Sequence, residues 1–221
     1  MSLEPVGPVR PSSIALRTIP PLGLGGATFS TQFNPLPDDE STLPVQAILR
    51  RALSLGINLI DTSPYYGNSE IVLGRALRAV WEDGWSRNGM FICTKVGRKK
   101  IDEFDYSPSA VRASVMRSLE RLGVQQLDVV YCHDVEFVTK GEVLGAVTEL
   151  FKLRDEGKIR YVGISGTDKF ITIDDRTSCE CTGSVSGGGE SRFGEAIGCG
   201  VKLFSYDVAK YNSRGCRSQT S

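Results

Sequence analysis

The chain has 221 residues, of which 40% are apolar and 24% charged, a composition typical of a globular protein with a sizeable core. Its 26 basic and 26 acidic side chains balance to a formal net charge of +0 and form no basic stripe, which argues against a nucleic-acid partner. Because no stretch approaches the roughly 20 apolar residues that span a bilayer, and the proline-rich residues 1–13 lack the apolar core of a secretory signal, we expect a cytoplasmic protein without a membrane partner.

Short apolar runs alternate with helical patterns along most of the chain. The runs occupy residues 22–28, 57–61, 90–95, 127–133 and 160–165. Helical spacing predicts helices from Pro44 to Gly56, from Ser69 to Val80, from Ser107 onward, and from about Glu142 to Glu156, with Ser69 and Ser107 as capping residues. Five strand–helix alternations with short connections predict an α/β fold built from parallel, right-handed βαβ units.

The first run ends in a glycine-rich turn. Gly25 and Gly26 would let a ligand approach the backbone closely, which makes them candidates for cofactor contact. The same pattern is also typical of a tight turn with no ligand. Ser165, at the end of the fifth run, is a further cofactor candidate.

Three chemically different side chains each end a separate apolar run. Asp61 ends the second run, Lys95 the third and His133, the only histidine, the fourth, while Tyr66 lies in the loop after Asp61. In a closed barrel the carboxyl ends of parallel strands converge on one cleft, so these side chains would meet there.

Together these four side chains would form a proton-transfer site. A lysine ammonium beside a phenol lowers the pKa of the tyrosine, Asp61 would hold Lys95 in place, and His133 could orient a substrate oxygen. Since no side chain supplies hydride, a nicotinamide cofactor is required. Taken singly, each residue has an ordinary structural explanation, such as a loop cap or a solvated charge, and the chemistry does not separate Tyr66 from Tyr65.

Four stretches carrying these residues resemble the aldo-keto reductase superfamily. They match its aspartate, tyrosine, lysine and histidine motifs at residues 56–63, 66–70 with 73–77, 94–95 and 127–133. The resemblance extends over residues 14–166 and implies a (β/α)8 barrel of the TIM type, with NAD or NADP as the cofactor. In that pattern the tyrosine directly precedes a glycine, which selects Tyr66 over Tyr65. The resemblance implies that Tyr66 is the general acid/base, that Lys95 tunes it, that Asp61 pairs with Lys95, and that His133 positions the reacting oxygen.

Two further stretches narrow the resemblance to one branch of the superfamily. Residues 133–137 and 163–166 are similar to the fungal D-arabinose 1-dehydrogenases and the plant L-galactose dehydrogenases. This implies oxidation of the C1 hydroxyl of a small-molecule aldose, such as D-arabinose, to a lactone. Asp134 and Glu136 would then contact sugar hydroxyls, or they are ordinary loop carboxylates.

After Gly166 the strand–helix pattern ends. Residues 1–166 read as the N-terminal part of an aldo-keto reductase barrel with five recognisable β/α units, and residues 167–221 as an irregular, disordered or non-native tail. A zinc site formed by Cys179, Cys181, Cys199 and Cys216 is an alternative for the tail, but their spacing lacks paired knuckles and we predict no metal site. A second hypothesis for the whole chain is an inactive fragment that keeps the motifs without binding dinucleotide. The sequence predicts no particular oligomeric state.

Overall fold

A five-stranded parallel sheet forms the centre of the computed structural model, which describes residues 22–30, 32 and 43–166 and the backbone of residues 193–194 and 203–204. The sheet follows chain order, β1-β2-β3-β4-β5, and all four strand pairs are parallel. Its strands are β1 (Gly23–Gly25), β2 (Leu59–Asp61), β3 (Phe91–Val96), β4 (Leu127–His133) and β5 (Ile159–Ser165). This arrangement confirms the predicted α/β fold with five β/α units.

Four helices alternate with these strands: α1 (Val45–Ser54), α2 (Ser69–Glu82), α3 (Pro108–Leu122) and α4 (Lys140–Asp155). They pack on one face of the sheet, where Ile60, Ile92 and Val130 belong to the same buried cluster as the apolar helix residues. Strand residues of the opposite parity form a second buried cluster on the other face, comprising Leu59, Phe91, Cys93, Val129 and Tyr131. Both faces of the strands are therefore apolar, as is typical of a parallel sheet.

Local capping determines where α3 and α4 begin, and the predicted start is confirmed for α3. The Ser107 hydroxyl accepts a hydrogen bond from the Ala110 amide at the start of α3. At α4, Thr139 and Glu142 form a reciprocal capping box, so the helix begins at Lys140 and not at the predicted Glu142. Leu144 is 37% exposed because α4 turns Val143 and other side chains toward the core.

The prediction that Ser69 caps α2 is wrong. Asn68 occupies the capping position, and Ser69 is the first helical residue. Its buried hydroxyl donates to the carbonyl oxygen of Gly26 at 2.6 Å and bonds to the Thr62 hydroxyl at 2.9 Å. Ser69 therefore joins α2 to the ends of β1 and β2 instead of stabilising its own helix terminus.

A buried ion-pair network lies near the amino ends of the strands, away from the predicted site. Asp128 is fully buried and accepts hydrogen bonds from Arg87 at 2.7 Å, from the Ile92 amide at 2.8 Å and from Arg160 at 3.0 Å. Arg87 also donates to the carbonyl oxygens of Met90 and Gln126. One carboxylate therefore links the beginnings of β3, β4 and β5.

Beyond residue 166 the structure describes only two short strands, β6 (Phe193–Gly194) and β7 (Leu203–Phe204), whose backbones pair antiparallel. Apart from these two strands, the predicted irregular tail lies outside the described residues, and so does the alternative zinc site. Within the described residues, no group of side chains has the arrangement of a metal site. None of the described helices is long and apolar enough to cross a membrane.

Candidate active site

An ion pair between Lys95 and Asp61 lies at the carboxyl ends of β2 and β3. Lys95 Nζ donates to Asp61 Oδ2 at 2.5 Å and to the carbonyl oxygen of Thr62 at 3.1 Å. Burial lowers the pKa of Lys95, but Asp61 and Tyr66 together outweigh it and hold that pKa above its ordinary value. Burial raises the pKa of Asp61, and the positive charge of Lys95 opposes that shift. Lys95 is therefore protonated at neutral pH and anchored by the carboxylate beside it.

Tyr66 contacts both this ammonium and the imidazole of His133. Lys95 Nζ is 4.9 Å from the centroid of the Tyr66 ring, and the Tyr66 and His133 rings meet edge to face at 5.7 Å. Burial raises the pKa of Tyr66 above its ordinary value, while Lys95 lowers it. Lys95 thus acts in the predicted direction, but burial outweighs it. The phenol is protonated at neutral pH, which is the form that a general acid needs.

His133 is held by contacts to its ring and its backbone. Its Nδ1 lies 3.2 Å from the Ser63 hydroxyl, and its carbonyl oxygen accepts a hydrogen bond from the Tyr106 hydroxyl. Burial, together with the positive charges of Lys95 and Arg98, lowers the pKa of His133 to about 2. The imidazole is therefore neutral at physiological pH and can act as a fixed hydrogen-bond donor to a substrate oxygen.

The structure thus brings Asp61, Tyr66, Lys95 and His133 together at one edge of the sheet. The reason is register and parity: Asp61, Lys95 and His133 are odd-numbered residues near strand ends, and all three side chains leave the sheet on the face opposite to the helices. Their catalytic roles remain predictions. The geometry also separates the two tyrosines, because Tyr66 lies against Lys95 whereas Tyr65 stacks against Arg98 at 4.1 Å.

The three cofactor candidates lie at the same edge. Gly25 pairs in register with Asp61, and Ser165 pairs with His133. A Cβ atom at Gly26 would lie 3.0 Å from the Asp61 carbonyl oxygen, which accepts the Gly26 amide hydrogen bond at 2.7 Å. Gly26 therefore has a packing reason for its lack of a side chain, whereas a Cβ atom at Gly25 would meet nothing within 4 Å. Contact of these residues with a cofactor remains a prediction.

Comparison with known proteins identifies the family. The aldo/keto reductase family model matches residues 21–175. The chain belongs to the aldo-keto reductase family. Its members are oxidoreductases, which agrees with the hydride and proton chemistry predicted for the site.

Three curated relatives are named as dehydrogenases of aldoses. D-arabinose 1-dehydrogenase of Saccharomyces cerevisiae is 48% identical over 151 residues, which is 68% of this chain and 44% of the relative. L-galactose dehydrogenase of Arabidopsis thaliana is 39% identical over 70% of this chain and 48% of the relative. D-threo-aldose 1-dehydrogenase of a Pseudomonas species is 33% identical over 66% and 50%. The chain therefore spans about half the length of the curated relatives it matches.

Solved aldo-keto reductase structures share the fold. One from Pseudomonas aeruginosa superimposes with a TM-score of 0.55 at 35% identity, covering 67% of this chain and 56% of that one. The holo form of an aldo-keto reductase from Bacillus halodurans gives a TM-score of 0.53 at 28% identity, covering 66% and 46%. Both structural similarities support the assignment of the sheet as part of a TIM-type barrel.

Sequence reasoning did not single out several side chains that support this site. Ser63 and Tyr106 fix His133, and Arg98 stacks against Tyr65. Glu70, in the first turn of α2, is fully buried and accepts a hydrogen bond from Thr94, the neighbour of Lys95, at 2.7 Å. Ser63 and Arg98 each come just after a strand that carries a predicted site residue, and this position in the sequence could have identified them. No comparable local signal points to Tyr106.

Proposed function

We propose that this chain carries the proton-transfer site of an NAD(P)-dependent aldose 1-dehydrogenase, which oxidises the C1 hydroxyl of a small-molecule aldose such as D-arabinose to its lactone. The observation that carries the proposal is that the Tyr66 ring contacts both partners: its centroid is 4.9 Å from Lys95 Nζ and 5.7 Å from the centroid of the His133 ring. The names of the relatives support an aldose as the substrate class. A cytoplasmic location fits such a metabolite but is likewise part of the proposal.

The residues at the strand ends fit a nicotinamide dinucleotide. The four central side chains include acids, bases and hydrogen-bond donors but no group that can accept hydride, so the reaction needs a redox cofactor. A Cβ atom at Gly25 would meet nothing within 4 Å, and Ser165 is half-buried, which supports access for a ligand at both residues. We propose Gly25, Gly26 and Ser165 as the residues that would contact NAD or NADP. When bound, the nicotinamide supplies the hydride acceptor for C1.

The chain's own residues would carry out the proton transfer. In oxidation, the C1 hydroxyl gives its proton to the Tyr66 oxygen as its hydride leaves C1, so that the carbon becomes the lactone carbonyl. His133 would hold the same substrate oxygen through a hydrogen bond, and Lys95 would stabilise the phenolate that accepts the proton. Because burial raises the pKa of Tyr66, oxidation should accelerate as pH increases above neutral, whereas the reverse reduction should not.

We propose as the alternative an inactive form that keeps the acid/base residues without holding a dinucleotide. The chain's match to only 44% to 50% of the length of its relatives motivates this alternative. Titrating the purified chain with NADH and with NADPH, followed by nicotinamide fluorescence, separates the two proposals. Saturable binding together with NAD(P)+ reduction by D-arabinose or L-galactose supports the enzyme. Absence of binding by a folded chain supports the inactive form.

A pair of tyrosine variants tests the site itself. Tyr66→Phe should reduce aldose oxidation by at least about a hundredfold, since general acid/base groups contribute roughly 10²–10⁴. Cofactor binding should be unchanged because the ring is retained. Tyr65→Phe is the matched control and should have a much smaller effect on turnover. Equal losses in the two variants would refute the assignment of Tyr66.

A further inference from the structure

Asp134, the residue after β4, has an unusual backbone conformation. Its φ of 57° makes it the only non-glycine residue with a positive φ in the described part of the chain. It precedes the short 3-10 helix Val135–Phe137, yet its side chain makes no capping hydrogen bond there. The backbone turns locally here, with the Phe137 amide donating to the Asp134 carbonyl oxygen at 3.3 Å, while the carboxylate finds its partners elsewhere.

The Asp134 carboxylate lies between Arg98 and His133. Oδ2 forms an ion pair with the Arg98 guanidinium and lies 3.6 Å from His133 Nε2. The Asp134 and Arg98 side chains are each only 16% exposed. One carboxylate oxygen thus faces a fixed positive charge on one side and the ring nitrogen that would reach the substrate on the other.

Arg98 is itself held in place by its neighbours. Its guanidinium donates to the carbonyl oxygen of Ile101 at 3.0 Å and its Nε to that of Lys100 at 3.2 Å. The group also stacks over the ring of Tyr65 at 4.1 Å, and that ring meets the His133 ring at 5.7 Å. The charge facing Asp134 is therefore part of a fixed assembly around the imidazole.

The opposite ring nitrogen indicates where the hydrogen lies. Ser63 Oγ accepts the backbone amide of Tyr65 at 3.1 Å and lies 3.2 Å from His133 Nδ1. Ser63 is buried, so its hydroxyl hydrogen needs an acceptor, and Nδ1 lies within reach. With Nδ1 as that acceptor, the hydrogen of a neutral imidazole is on Nε2.

We propose that the Arg98–Asp134 ion pair is a positioning device that keeps His133 neutral, with its hydrogen on Nε2 and available to the reacting oxygen. The carboxylate favours a hydrogen on the nitrogen facing it, and Arg98 neutralises the carboxylate so that it does not draw a second proton onto the ring. Without Arg98, an unpaired Asp134 would stabilise the imidazolium. The link to catalysis rests on the proposed function, but the protonation state of the ring does not.

Charged and titratable groups lie on several of the elements that surround His133. They are Asp61 at the end of β2, Tyr65 and Tyr66 in the loop after β2, Lys95 on β3, Arg98 after β3, Tyr106 before α3, and Asp134 and Glu136 after β4. Lys95 is already paired with Asp61 at 2.5 Å. Arg98 is therefore the cation whose removal leaves a carboxylate uncompensated directly beside Nε2.

Because the sequence contains one histidine, the imidazole can be observed without assignment. The full chain would be labelled with 15N-histidine, and two-bond 1H–15N correlation spectra would be recorded from pH 5 to 8. In these spectra the two neutral tautomers and the imidazolium have different 15N chemical shifts. The wild-type chain should show the neutral Nε2–H form throughout. In Arg98→Gln the imidazolium should become titratable in this range, which from a pKa of about 2 requires roughly a thousandfold change in the protonation equilibrium.

Four further variants separate the effect of charge from that of structure. Arg98→Gln combined with Asp134→Asn should return the ring to the neutral form, and Arg98→Lys should stay close to wild type. Lys99→Gln removes a neighbouring cation that pairs with Asp105 at 2.6 Å, and should leave the histidine spectrum unchanged. Asp134→Asn alone should allow a detectable share of the Nδ1–H form, which tests the proposal even if Arg98→Gln does not fold.

The proposal would be overturned by a wild-type ring in the Nδ1–H or imidazolium form. It would also be overturned if folded Arg98→Gln, or Asp134→Asn where the former does not fold, gave the wild-type spectrum. A chain with the expected spectra but no aldose oxidation would refute the proposed function and leave the positioning device standing.

Discussion

Replacing Asp128 by alanine should destabilise the fold strongly. The carboxylate is completely buried and accepts hydrogen bonds from two arginines and one backbone amide. Alanine would leave the Arg87 and Arg160 side chains, 3% and 8% exposed, without their shared counter-charge. Removing one partner of a buried ion pair costs about 3–5 kcal/mol. Against a typical domain stability of about 5–15 kcal/mol, the variant should lie near the limit of folding.

Urea unfolding followed by tryptophan fluorescence measures this effect, since the chain contains two tryptophans. Asp128→Asn should lose less, because it keeps an acceptor for the Ile92 amide while losing the charge. The matched control is Asp83→Ala, which removes a 2.5 Å ion pair to Arg50 whose side chains are 41% and 42% exposed. That change should cost less than about 1 kcal/mol. A loss below about 1 kcal/mol in Asp128→Ala would refute the reasoning about the buried network.

Further predictions concern the helix packing and the single histidine. Gly74→Ala should destabilise by about 1–3 kcal/mol, because its Cβ atom would lie 2.0 Å from the Arg121 carbonyl oxygen, whereas Gly145→Ala in open space should stabilise α4 by about 0.5–1 kcal/mol. Thermal unfolding compares the two, and a lower midpoint for Gly145→Ala than for Gly74→Ala contradicts the packing argument. Because the pKa of His133 is lowered to about 2 in the fold, the unfolded chain binds the extra proton below its ordinary pKa of 6.5. Between pH 7.5 and 5.5 this should remove about 1.4 kcal/mol of stability, and His133→Asn should lack that loss; equal pH dependence in both chains would contradict the buried neutral ring.

Much of the fold follows from local patterns. The alternation of apolar runs and helical spacing predicted the five strands and four helices. A strand buried on both faces is apolar throughout, whereas a helix buried on one side is apolar along that side only. Capping chemistry fixed the start of α3 at Ser107, since a side-chain oxygen there satisfies a free amide. The same local logic was wrong at Ser69, whose hydroxyl instead bonds to the distant Gly26.

The proximity of the site residues in the fold was also predictable. Asp61, Lys95 and His133 each lie near the end of a strand, and parallel strands in chain order bring those ends to one edge. Choosing Tyr66 over Tyr65 needed the family resemblance at the level of sequence. The structure adds a physical distinction, because only Tyr66 lies against the Lys95 ammonium in the described contacts.

The sequence by itself determined the order of elements, the strand ends and the kinds of side chain placed there, because these depend on periodicity and on chemistry along the chain. Only the tertiary structure decided how those side chains are charged. Burial outweighs Lys95 in the pKa of Tyr66. The contacts of His133 with Ser63, 70 positions away, and with the Arg98–Asp134 ion pair arise from packing. Desolvation and through-space charge depend on which atoms are near one another in the folded state, and no local pattern encodes that information.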